Sequence, residues 1–93
     1  MQKIIRLELP GGTPRSDVEH DIGLAIFSAE CVYGGPRTRL EVRYLINIDG
    51  TRVVLQVRGE AGEAAVRVLI GLCNERFGEA TFRVERVTRD GDA

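Results

Sequence analysis

The stretch Arg43-Tyr44-Leu45-Ile46-Asn47-Ile48-Asp49-Gly50-Thr51-Arg52-Val53-Val54-Leu55-Gln56-Val57 sets two apolar runs on either side of an Asp-Gly pair. β-Branched and aromatic residues dominate the runs. Asp-Gly suits a two-residue type I′ turn, in which both central residues take positive φ. Counting outward from the turn puts Ile46 opposite Val53, Tyr44 opposite Leu55 and Val42 opposite Val57. Partners fall on one side of the sheet in every case, so turn chemistry and hydrophobic alternation agree on a single register. The reading predicts two strands over 38–48 and 51–58.

Working outward towards the N-terminus, residues 3–9 alternate as a strand, with Ile5, Leu7 and Leu9 on one face, until Pro10-Gly11-Gly12 breaks the pattern. Thr13-Pro14 or Ser16 opens a helix, with Ser16-Asp17-Val18-Glu19 matching a capping box, and Gly34-Gly35-Pro36 ends it after Tyr33. Towards the C-terminus, a second helix spans 61–77 and stops at Gly78, and a last strand spans 81–87 with Phe82 and Val84 inward. Residues 88–93 read as a frayed polar tail.

The element order is therefore βαββαβ. Right-handed crossovers place both helices on one face of a four-stranded antiparallel sheet of order 4-1-3-2. This α+β two-layer sandwich resembles the ferredoxin-like superfold by element order alone, over nearly the whole chain. That superfold hosts many unrelated functions.

Residues 1–93 read as a single domain, small enough for its core to be thin. With 43% hydrophobic and 29% charged residues the composition is that of a globular protein. The net charge of −1 exerts no global pull on nucleic acid or on an anionic membrane. No spanning segment or signal peptide is legible. Cys31 and Cys73 both fall in apolar helical patterns and read as reduced thiols of a cytoplasmic protein.

Four function classes follow from the residues. The leading expectation is a non-enzymatic binding or interaction module that self-associates as a homo-oligomer, with no cofactor. It rests on the first helix, which carries two apolar stripes. Val18, Ile22, Ala25, Ile26 and Ala29, with Val32 and Tyr33 at its end, form a core stripe, while His20, Leu24, Phe27 and Cys31 recur at i, i+4, i+7 and i+11 on the other side. A helix lying on a sheet needs only the first stripe. A smaller apolar spot, Leu45 beside Val54, is expected on the outer sheet face.

The second expectation is a regulatory domain for a small anionic ligand. Gly11, Gly12 and Thr13 sit between a strand and a helix N-terminus, where backbone N–H groups can face an anion. The third is an enzyme using His20 with Asp17, three residues apart on one helix face, or with Asp21. The fourth is RNA binding. The outer sheet face is expected to carry Arg6, Glu8, Arg39, Glu41, Arg43, Arg52, Gln56, Arg58, Arg83 and Glu85, with Glu41 facing Arg58 across the hairpin. That face is basic but offers no aromatic residue for base stacking, so nucleic acid is not favoured. No spacing of His, Cys or acidic residues matches a metal site.

Overall fold

The computed structural model describes residues 2–48, 50–78 and 82–88. Along the chain these form β1 (Lys3–Glu8), α1 (Arg15–Tyr33), α2 (Gly35–Glu41), β2 (Val42–Ile46), β3 (Arg52–Val57), α3 (Gly59–Phe77) and β4 (Arg83–Thr88). They build a small α+β domain with three helices and a four-stranded antiparallel sheet in the order β2-β3-β1-β4.

The hairpin pairs Ile46 with Val53, Tyr44 with Leu55 and Val42 with Val57, as the outward count from the turn predicts. Asn47 closes the ladder. Its N–H donates to the Arg52 carbonyl at 3.0 Å, and its side-chain Oδ1 accepts from the Arg52 N–H at 3.0 Å. Gly50 has φ 76°, and a Cβ there would collide with the Arg15 backbone at the start of α1. Both the dihedral and the close approach require glycine. Asp49, the other half of the expected turn pair, lies outside the described residues, as does Thr81, where the last strand was expected to begin.

Residues 38–41 are the main departure: they are helical rather than the start of the second strand. Gly34, at φ 93°, ends α1 and also opens α2. Pro36 then sits in the first turn of the new helix, where its missing N–H costs nothing. The Thr38 hydroxyl donates to the Gly34 carbonyl at 2.9 Å, and Arg37 Nε donates to Glu41 Oε2 at 3.0 Å across one turn. These local bonds override a polar–apolar alternation that reads as a strand. Arg39 and Glu41 therefore leave the outer sheet face. The expected Glu41–Arg58 side-chain pair is replaced by backbone contact, with the Arg58 N–H donating to the Glu41 carbonyl at 2.9 Å.

Glu41 instead caps α3. Its Oε1 accepts from the N–H of Ala61 at 2.8 Å and of Gly62 at 3.3 Å. A carboxylate at a helix N-terminus satisfies orphan donors and opposes the dipole. The Arg37 hydrogen bond, with the two backbone N–H groups, holds the Glu41 carboxyl below its ordinary value of 4.5. A lowered folded-state pKa stabilises the fold fully above the ordinary value, and that stability is lost as the pH falls through the lower one. Glu41→Gln is therefore expected to flatten the loss of melting temperature below about pH 4.5. Parallel thermal scans of both proteins from neutral to acid pH check this, and parallel acid slopes would refute it.

Other boundaries shift slightly. The capping box at Ser16 and Glu19 does not form: Pro14 is the N-cap, no side chain caps it, and Ser16 is already helical. Leu9 lies past the end of β1 yet stays in the core, its N–H donating to the Thr51 carbonyl at 2.7 Å. The second long helix starts at Gly59, ahead of the expected Ala61. Thr88 belongs to β4 and pairs with Lys3, so it is not part of a tail, and 89–93 lie outside the described residues.

The core joins Ile5, Leu7, Val42, Val53, Leu55 and Val57 of the sheet to Val18, Ile22 and Ala25 of α1 and Val66, Leu69 and Cys73 of α3. Phe77 and Phe82 close its end, with ring centroids 6.4 Å apart. Tyr44 and Val84, expected inward, remain about two-fifths exposed because they lie on the two edge strands.

Candidate interaction surface

α1 is fixed on its axis by one polar clamp. Arg76, on α3, donates through Nε to Asp21 Oδ2 at 2.8 Å and through Nη2 to Asp21 Oδ1 at 3.0 Å. A further contact runs from its Nη1 to Asp17 Oδ2 at 3.5 Å. Asp21 is buried beside Cys73, and burial pushes the Cys73 thiol up to about 11. The planar guanidinium fork gives the pair a defined orientation, and together with the buried stripe of Val18, Ile22, Ala25 and Ala29 it leaves the opposite side of α1 facing out.

That outward side is uncharged. At 100° per residue, Ser16, His20, Gly23, Leu24, Phe27 and Cys31 fall within roughly 100° of arc. All are exposed, Phe27 by 61% and Leu24 by 41%. Val32 does not belong to this arc: expected at the end of the core stripe, it is instead 73% exposed, because it sits in the last turn of α1. The charged residues of α1 all lie off this arc. Asp17 and Asp21 turn to α3, Glu19 pairs with Arg15 at 3.9 Å, and Glu30 pairs with Arg39 at 3.3 Å. The exposed positions of α3 are ordinary by contrast, with Glu60, Arg67, Glu75 and Arg76 among them. Both helices are 19 residues long and pack on the same core, yet only α3 has a charged outer face.

His20 lies on this arc, and among the described residues no hydrogen bond or ion pair joins it to Asp17 or Asp21, whose carboxylates turn to Arg76. The pairing that acid–base chemistry through His20 would need is not formed. At the β1–α1 turn, Gly11 and Gly12 are exposed and Gly12 has φ 86°. Thr13 is buried, and its hydroxyl donates to the Pro10 carbonyl at 2.6 Å. That hydroxyl is committed to closing the turn.

On the outer sheet face, Arg6, Arg52 and Arg83 are tied to Glu85 and Glu8 at 3.3–3.8 Å. Leu45 is 76% exposed next to Val54. The sequence reading placed Arg43 and Arg58 on this face without distinguishing them from the other arginines. Only the pairing of every other arginine on the face with an acid sets them apart. Among the described residues there is no group of three His, Cys, Asp or Glu side chains able to hold a metal ion, and no helix is long and apolar enough to cross a membrane. No protein-family model matches the chain, and no curated protein matches it.

Proposed function

We propose that this chain is a non-enzymatic interaction module that pairs with a second copy of itself through the outward arc of α1. The observation that carries the reading is the uncharged, exposed arc of Gly23, Leu24, Phe27 and Cys31 on a helix whose core stripe is already satisfied. Two-fold pairing sets the same patch against itself, and a patch free of formal charge forces no like charges together. Gly23 supports the reading further. It lies mid-helix, where glycine costs roughly 1 kcal/mol relative to alanine, and a Cβ there would meet nothing in its own domain. Close approach of a partner helix gives it a role. Burying one phenylalanine contributes about 1.5–3 kcal/mol, a large increment for a domain with so thin a core.

Within this proposal the architecture is read as ferredoxin-like, with α2 added between α1 and β2. The sheet order and the antiparallel pairings support that reading, and it assigns no function by itself. The cytoplasmic reading rests on the two free cysteines.

Light scattering across a concentration series tests the assignment. The wild type is expected to weigh two chains at high concentration. Phe27→Glu is expected to weigh one, with an unchanged circular dichroism spectrum, because the residue is exposed. A wild type that stays monomeric, or a dimer indifferent to the glutamate, would refute the pairing.

A further inference from the structure

Two concavities adjoin beside β2, one where α2 meets the end of the sheet and one on the outer sheet face. One, of about 160 Å³, is lined by Gln2, Leu40, Arg43, Gln56 and Arg58 together with Glu41 and Val57. The other, of about 380 Å³, is lined by Arg43, Tyr44, Leu45, Val54 and Gln56. Arg43 and Gln56 belong to both. The pairing explains the layout: Arg43 lies opposite Gln56, and Leu45 lies opposite Val54, one step further along the same face. Rows two residues apart on a strand are about 6.8 Å apart, so a polar row passes directly into an apolar one.

The electrostatics differ sharply between the two ends of this face. The arginines at positions 6, 52 and 83 each have a glutamate within 4.0 Å. Among the described residues Arg43 has no ion pair, and the Arg58 guanidinium donates only through Nε, to the Leu40 carbonyl at 3.3 Å. Glu41 borders the smaller concavity, but its carboxylate is committed to Arg37 and to the α3 N-terminus. Guanidinium donors are thus free at the polar end. At the apolar end Leu45 is the most exposed large hydrophobic side chain of β2.

We propose that this face binds a small organic acid with an apolar body, its carboxylate held by Arg43 and Arg58 and its hydrocarbon lying over Leu45 and Val54. Charge complementarity selects an anionic head. Tyr44 is a single aromatic at the larger concavity rather than a row of stacking platforms, and the neighbouring Glu8 and Glu85 oppose a polyanionic strand. The shallow groove suits one small molecule, with affinity in the roughly millimolar range for a ligand of this size. This site is separate from the α1 arc and does not depend on pairing.

Octanoate is the probe, followed by amide chemical shifts in the Phe27→Glu background so that self-association does not contribute. Saturable shifts are expected at Arg43, Leu45, Val54 and Gln56. Octanamide keeps the tail without the charge and acetate keeps the charge without the tail, and each is expected to bind about 10-fold more weakly or worse. Arg43→Gln, at an exposed position, is expected to cost octanoate a similar factor and to leave octanamide unchanged. Absence of shifts at about 10 mM octanoate would overturn the proposal. So would shifts centred on α1, or an affinity unaltered by Arg43→Gln.

Discussion

Gly62→Ala is expected to melt roughly 10–20 °C below the wild type. Gly62 is buried in the first turn of α3, and a Cβ there would collide with the Glu41 carbonyl and come within 2.8 Å of Val57 Cγ1. Neither neighbour is free to yield. The Glu41 carbonyl accepts from the Arg58 N–H just beyond the β2–β3 ladder, and Val57 is a core residue paired with Val42 and Lys3. The helix must therefore lift, which also pulls the Ala61 and Gly62 N–H groups from the Glu41 carboxylate. Overpacking of this kind costs about 1–3 kcal/mol or more, and a domain of this size loses about 4–8 °C per kcal/mol. Gly71→Ala is the control. It adds the same methyl group to the same helix at an exposed position with nothing within 4 Å, and is expected to raise the melting temperature by a few degrees. Two shifts of the same sign would show that helix propensity, not the contact with Glu41, governs Gly62.

The Gly62 contact also marks where sequence reasoning stopped. The hairpin register was legible because two independent signals, the Asp-Gly turn and the apolar alternation, had to agree on it. The second stripe of α1 was legible for the same kind of reason: helical periodicity alone separates Leu24, Phe27 and Cys31 from the core residues. Gly34-Gly35-Pro36 was legible as a stop but not as a start, because proline is compatible with both. The spacing of Arg37 and Glu41, one turn apart, was the available sign of α2. Interactions between residues distant in sequence left no local trace. Glu41 capping α3 and Arg76 reaching back to Asp21 pair residues 20 and 55 positions apart. An acid at Asp17 or Asp21 looks the same in sequence whether it serves the helix dipole, a histidine or an arginine on another element. The groove beside β2 was hidden for a related reason. Which arginines of a basic face have acidic partners depends on the side chains packed next to them.

The clamp between α1 and α3 leads to the second large effect, an asymmetric one. Arg76 has about one-third of its side chain exposed, so after Asp21→Ala its guanidinium turns to water. Asp21 is only 6% exposed, so Arg76→Ala leaves a carboxylate buried without its two donors. Removing one partner of a buried pair is costly mainly through the charge left behind. Arg76→Ala is therefore expected to destabilise the domain more than Asp21→Ala, with the milder variant melting roughly 5–10 °C below the wild type. Replacing both at once, as Asp21→Leu with Arg76→Met, removes the charge along with its partner. It is expected to recover most of the loss, since apolar substitutes of similar volume satisfy such sites well. Cys73 provides a local readout. With its thiol pushed up to about 11 by burial and by the Asp21 charge, roughly one molecule in a thousand carries the thiolate at pH 8, so in the unpaired Phe27→Glu background it is expected to react with a disulfide reagent far more slowly than exposed Cys31. Opening of the α1–α3 seam in Arg76→Ala is expected to speed labelling of Cys73, and the double apolar variant is expected to restore protection. Because apolar packing takes the place of the clamp, the double variant should also keep the wild-type association state, while Arg76→Ala weakens it. An Asp21→Ala variant that melts below Arg76→Ala would mean that the buried carboxylate is not what makes the clamp matter.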